Sequence, residues 1–125
     1  MPYAFNDDKS KFSLTSRTIS VSNFMDEENP VTINSATQIA VAGNVVMYYF
    51  SFKAFSVPSN GTFTLGTVKS AYRPKINYAF TSIRNTTSPY LDVGTCYIGS
   101  DGKIYLYLPS GTYNSNLYIA GTYII

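Results

Sequence analysis

The sequence predicts an all-β protein, a jelly-roll-like antiparallel β-sandwich, and three observations predict it. From residue 44 onward the chain is a succession of short runs rich in Tyr, Phe, Val, Ile and Thr: GNVVMYYFSFKAF, GTFTLGTV, AYRPKINYAF, VGTCYIGSDGKIYLYL and NLYIAGTYII. Gly, Pro and Asn punctuate those runs at the spacing of turns. No segment carries a persuasive helical period, and the short strands follow one another as they do in sandwiches and jelly rolls.

The elements follow in order. The opening MPYAFNDDKSK (residues 1–11) is polar and mixed in charge and reads as an extended arm. KFSLTSRTISV alternates as one strand or two short ones, with Phe12 and Leu14 in one phase and Ile19 and Val21 in another. Phe24–Asn29 holds three of the seven acidic residues and runs into Pro30, which predicts a loop, with a helical turn at Met25–Glu28 as the alternative. VTIN and ATQIAVAG supply two short strands around Asn34–Ser35. One long strand is then expected over Asn44–Val57. Val46, Tyr48, Phe50, Phe52 and Ala54 share one of its faces; Val45, Met47, Tyr49, Ser51 and Lys53 share the other. Both faces are apolar over the first half, which predicts cover on both sides.

Pro58–Gly61 is a turn into Thr62–Val68. Arg73-Pro74 breaks any ladder and fixes a bend, and Ile76–Ile83 resumes as a strand. Asn85–Pro89 is a polar loop. Asp101-Gly102 predicts a hairpin with a two-residue turn whose residues take positive φ. Beyond it, Ile104, Leu106 and Leu108 face one way while Lys103, Tyr105 and Tyr107 face the other. Pro109–Asn116 is a loop and Leu117–Ile125 the last strand, for eight or nine strands in all. The Asn-x-Thr triplets at Asn60 and Asn85 read as turn residues.

Composition sets the functional bounds. The chain has 125 residues, room for one domain with a sizeable core; 45% are hydrophobic but only 13% charged, about half the usual share. Such a surface is short of charge and implies cover by a partner or solubility through hydroxyl and amide groups. Net charge is +2 with the basic residues scattered, so no nucleic-acid interface is expected. There is no histidine, which removes Ser-His-Asp and Cys-His catalysis and most zinc sites. The single Cys96 lies in an apolar strand and reads as a small buried hydrophobe. Asp26, Glu27 and Glu28 are adjacent rather than at ligand spacing, and Asp92 and Asp101 are the only acids beyond residue 28. The expectation is a protein that is not an enzyme, with no metal and no cofactor. The N-terminus has no apolar signal-peptide core and no run is long enough to span a bilayer.

The order of motifs carries a resemblance. A G-x-V-V strand leads into an apolar strand ending F-K-A, followed by LGTV, a loop reading YRP, and an aromatic strand. A G-x-x-Y-I-x-x-D-G-K-I hairpin and a closing N-L-x-I-x-G-x-Y-I come next. Over residues 40–125 this resembles the C-terminal head domain of bacteriophage tail-fibre and baseplate receptor-binding proteins. The resemblance implies a homotrimer of β-sandwiches on the virion surface, made in the host cytoplasm, with host cell-surface saccharide as ligand. It also implies a division into an N-terminal arm with short strands over residues 1–38, a possible particle anchor on a capsid or tail protein, and a head over residues 39–125. The alternatives are a capsid head-fibre or decoration protein held by its arm, and a trimeric lectin module like those of C1q and tumour necrosis factor.

Candidate site residues follow from chemistry. A tyrosine ring offers an apolar face to sugar C–H groups and its hydroxyl adds a hydrogen bond. Tyr72, Tyr90 and Tyr113 stand in loops or at strand ends, with Arg73, Asp92, Asn114 and Asn116 as hydrogen-bonding neighbours. Strand tyrosines such as Tyr48, Tyr49, Tyr78, Tyr105 and Tyr107 are assigned to core or subunit packing. The expected interface between copies is built from Tyr48, Phe50, Ile119, Tyr123 and Ile125, so that the last three residues become the determinant of assembly.

Overall fold

Nine strands pair into one antiparallel sheet in the order β1-β3-β4-β11-β7-β8-β9-β6-β2, and two more, β5 and β10, pair beside it. The computed structural model describes residues 16–29, 32–87, 89–114 and 116–125. The strands are β1 (Ser16–Ile19), β2 (Met25–Glu27), β3 (Gln38–Ala42), β4 (Val45–Ser51), β5 (Phe55–Val57) and β6 (Thr62–Val68). They continue with β7 (Tyr78–Asn85), β8 (Asp92–Gly99), β9 (Lys103–Tyr107), β10 (Gly111–Tyr113) and β11 (Leu117–Ile124). One helical turn, α1 (Val21–Phe24), lies between β1 and β2, and a 3-10 turn spans Ser70–Tyr72.

The connection through α1 dictates the shape. β1 and β2 occupy the two opposite edges of the nine-strand order, yet only residues 20–24 separate them. Laid flat, nine strands would put those edges about 38 Å apart, at roughly 4.8 Å per strand. Five residues reach at most about 17 Å. The sheet therefore curls until its edges nearly meet, and α1 closes the remaining gap. Ser20 starts the turn by accepting the Asn23 N–H on its hydroxyl at 3.2 Å. Phe24 ends it fully buried, its ring 6.1 Å from Phe50 on one side of the wrap and 5.9 Å from Tyr72 on the other.

Alternation along each strand sends one set of side chains into a single enclosed core. Val46, Tyr48, Phe50 and Phe52 enter it from one stretch of chain, Ile104, Leu106 and Leu108 from another. Ile119 and Tyr123 enter from the last strand, and Ile19, Phe24 and Met25 join the same cluster. Tyr123 donates its hydroxyl to the Tyr72 carbonyl at 2.6 Å. The β5–β10 pair caps one end, with Phe55 stacked 5.8 Å from Tyr113 and 4.9 Å from Phe63. Gly66 sits where the β6 register shifts, and a Cβ there would lie 2.4 Å from the Asp26 carbonyl oxygen, so only glycine admits the edge strand β2.

The all-β, antiparallel reading is what the chain adopts, with corrections of detail. The expected long strand breaks at Lys53-Ala54 into β4 and β5; Phe52 between them forms an isolated antiparallel bridge with Ile33, through the Lys53 N–H on the Thr32 carbonyl and the Asn34 N–H on the Ser51 carbonyl. The acidic segment is not a loop: Met25–Glu27 pairs with β6, and the helical turn falls four residues earlier, at Val21–Phe24. Within the expected 109–116 loop, Gly111–Tyr113 forms a strand on β5. The 99–102 hairpin turn has three connecting residues, with the Gly102 N–H bonded to the Gly99 carbonyl and positive φ at Gly102 alone (89°). Asn60 accepts the Thr62 N–H on its side chain at 3.1 Å, the turn chemistry read from the sequence. Ile19, Phe24 and Met25, ahead of residue 38, pack in the same core as the later strands. The arm over residues 1–11, with Phe12 and Leu14, lies outside the described residues.

The expected interface between copies is corrected more deeply. Tyr48, Phe50, Ile119 and Tyr123 are 5%, 0%, 0% and 5% exposed within the single chain, so another copy has nothing of them to cover. Ile125 is half-buried against the same core, its N–H on the Asn44 carbonyl. Deleting residues 123–125 would thus remove Tyr123, a core side chain.

Burial raises the phenol pKa of Tyr48 and of Tyr123 above the ordinary 10.0, with Cys96 and Tyr123 adding to the effect at Tyr48. Because the folded values are raised, this stabilising term is complete below the unfolded value and is lost as pH climbs past it. An ultraviolet absorbance titration followed alongside circular dichroism should show these two phenols ionising only as the chain unfolds. Phenolate signal that precedes the loss of structure and disappears in a Tyr48→Phe, Tyr123→Phe variant would show that the core is not sealed there.

Candidate ligand-binding site

The antiparallel pair β7 and β8 separates the sequence-predicted residues into distinct places. At one end, Asn85 closes β7 and Asp92 opens β8. The loop after β7 is tied to the loop before β11 by the Thr86 N–H on the Asn116 carbonyl at 2.7 Å. Tyr90, Asp92, Asn114 and Asn116 are all exposed at this end. Tyr72 and Arg73 lie at the other end, about 23 Å along an eight-residue strand. Arg73 there donates its Nε to the Val68 carbonyl at 2.9 Å beside the Gly102 turn. The Tyr72 ring packs on Phe24, with the Arg17 guanidinium 5.9 Å above it. Tyr113 is spent on the Phe55 stack and donates its hydroxyl to the Pro109 carbonyl at 2.6 Å. The seven residues do not form one site.

A groove forms where β7 and β11 pull apart. Their ladder is regular only at Leu117–Asn85 and Tyr118–Arg84; farther along, the Thr81 hydroxyl donates to the Ala120 carbonyl at 2.9 Å in place of a backbone partner. The opening, about 370 Å³, is lined by Thr81, Ser82, Arg84, Asp92, Tyr118 and Ala120. Across its mouth Arg84 donates Nε to Asp92 Oδ1 at 2.9 Å and Nη2 to the Tyr90 carbonyl at 3.2 Å. Tyr118 forms one wall, its ring 5.6 Å from that of Tyr49. The groove thus offers an aromatic face, a carboxylate, a guanidinium and two hydroxyls. That set suits a polyhydroxylated ligand that stacks on one side and exchanges hydrogen bonds on the other.

Of the residues named from sequence, Asp92 lines the groove and Tyr90 contributes its carbonyl at the rim. Arg84, Tyr118, Thr81 and Ser82 were not singled out. The signal for two of them was available, since Tyr118 and Arg84 alternate out of phase with the buried Ile119 and Ile83 and so face outward.

No family model and no curated protein sequence matches the chain. Among solved structures, the receptor-binding protein (gp15) of Listeria phage PSA superposes with a TM-score of 0.55 at 15% identity, over 96% of this chain and 72% of that one. The chain shares its fold with that phage receptor-binding protein. Looser overlaps are found with the receptor-binding head domain of lactococcal phage bIL170 (TM-score 0.44, 15% identity, 81% of this chain and 96% of that one). A reovirus attachment protein, sigma1, in complex with alpha-2,3-sialyllactose, overlaps at a TM-score of 0.38 with 13% identity, over 92% of this chain and 66% of that one. At 15% identity the likeness to the Listeria phage protein is one of fold, and it agrees with the motif order.

The Arg84–Asp92 pair is 45% and 61% exposed, which leaves it little to contribute to stability. Arg84→Ala should shift the free energy of unfolding by less than ~1 kcal/mol, whereas Leu117→Ala at the neighbouring buried position should cost ~2–5 kcal/mol. Urea unfolding of both variants checks this; equal losses would make the pair a structural clamp.

Proposed function

We propose that this chain is the head of a phage receptor-binding protein: a non-enzymatic virion component that assembles as a homotrimer and holds host cell-surface saccharide in the β7–β11 groove. The observation that carries the reading is the groove itself, an aromatic wall facing a charged pair, set on a fold shared over nearly the whole chain with a phage receptor-binding protein. Tyr118 takes the C–H face of a sugar ring. Asp92 accepts from two of its hydroxyls, and Arg84, already braced on the Tyr90 carbonyl, donates to a ring or hydroxyl oxygen. Asn114 and Asn116 extend the rim toward a second sugar unit. A shallow site of this kind binds weakly by itself, and three of them held together supply the useful strength by avidity.

A glycan-array screen of the purified chain, followed by calorimetry on the best ligand, tests the reading. Tyr118→Ala and Asp92→Asn should each weaken binding at least about tenfold, the worth of one lost charged hydrogen bond or stacked ring. Tyr72→Phe, at the opposite end, should leave it unchanged. Full affinity in the Tyr118→Ala, Asp92→Asn double variant would remove the groove from the account.

A further inference from the structure

The outward faces of the wrap carry two further apolar surfaces, one of which borders the saccharide groove at Ala120. On β7 and β8, Tyr78, Phe80 and Tyr97 form an edge-to-face cluster, Phe80 to Tyr97 at 4.7 Å and Tyr78 to Tyr97 at 5.3 Å. Tyr78 and Phe80 are 56% and 60% exposed, and Ile76 and Ile124 beside them 64% and 53%. Together they border a hollow of about 520 Å³ and stand out as a ridge of large side chains. Adjoining it across Thr122, on the outer side of β3, β4 and β11, lies a groove of about 660 Å³. Its floor is made of small residues, Ala40, Ala120 and Gly121, and its walls are Met47 and Tyr49. Among the described residues, no Lys, Arg, Asp or Glu lines either surface.

We propose that these two surfaces are the two halves of one joint between copies of this chain: the Phe80–Tyr78–Ile124 ridge of one copy seats in the Ala40–Met47–Ala120 groove of the next. The inference rests on the homotrimer in the reading above and is independent of its saccharide. Ile76, Ile124 and Phe80 have no group with which to bond a hydroxyl, so the ridge suits apolar protein and not sugar. Large side chains on one surface and small ones on the other match in size as the two sides of a packed core do. The four exposed ridge side chains, each more than half uncovered, bring roughly 400 Å² at about 150–250 Å² per large side chain. That is about half of the roughly 800 Å² per partner of a standard interface, so one joint alone is weak and only a copy held by both joints of a closed ring buries about the full amount. Because the two halves differ, the contact is heterologous; Thr122 lines both, so the halves adjoin as the two flanks of one wedge, an arrangement that can close into a ring.

Disulfide trapping reads the joint directly. In the double variant Phe80→Cys, Ala40→Cys an intrachain bond is excluded, because three strand spacings, about 14 Å, exceed the roughly 7 Å Cα limit. Cys96 is fully buried and takes no part. Mild oxidation should convert the double variant into covalent species up to a closed trimer on a non-reducing gel, while neither single variant cross-links. A dimer from Phe80→Cys alone would mean ridge against ridge and would overturn the heterologous joint. In parallel, Phe80→Asp with Ile124→Asp should turn a trimer into a monomer by light scattering with unchanged circular dichroism. If that variant stays trimeric, the ridge is not the joint although the homotrimer stands; if the unaltered chain is a monomer at every concentration, the homotrimer itself fails.

Discussion

Everything in this structure follows from how short the link between its two edge strands is. Residues 20–24 must join β1 to β2 across the whole width of a nine-strand sheet, and only a curled sheet allows it. Phe24 is the side chain on which the closure rests, because it touches Phe50 from one side of the wrap and Tyr72 from the other. The same closure deals with the exposed edges that make open sheets prone to pairing with other chains.

Curling gives each strand one sealed face and one open face, and this divides the work among the side chains. The sealed face holds the core from Ile19 to Tyr123. The open face is free of packing duties, so it can carry the Arg84–Asp92 groove, the small-residue groove over Ala40 and Ala120, and the aromatic ridge around Phe80. A chain with few charged residues is well suited to this arrangement, since tyrosine serves inside as bulk and outside as a ring with a hydroxyl.

Much of the wrap was legible in the sequence, and the reason is local. Period-two alternation grouped Val46, Tyr48, Phe50 and Phe52 on one face and Ile104, Leu106 and Leu108 on one face, and all seven are buried. The positions of β1 and β2 were not legible, because partners such as Ile19–Ile39 and Met25–Val68 are paired by closure rather than by neighbouring sequence. Nor could alternation decide which tyrosines face the core. Tyr48 and Tyr49 are adjacent and chemically identical, yet Tyr48 is sealed while Tyr49 stands beside Tyr118 on the open face. For that reason the expected interface through Tyr48, Phe50, Ile119 and Tyr123 fell on a face that is sealed within the single chain. The groove escaped notice because it comes from a ladder that fails beyond two residue pairs, where Thr81 replaces a backbone partner.

The most direct test of the closure is native-state amide hydrogen exchange on Phe24→Leu, a change mild enough to keep the fold. If Phe24 holds both edges together, amides of β3 beside β1 and of β6 beside β2 lose protection together and to a similar degree. Loss confined to β2 and β6, with β1 and β3 unchanged, would mean that the two edges are held independently and that the short link does not govern the wrap.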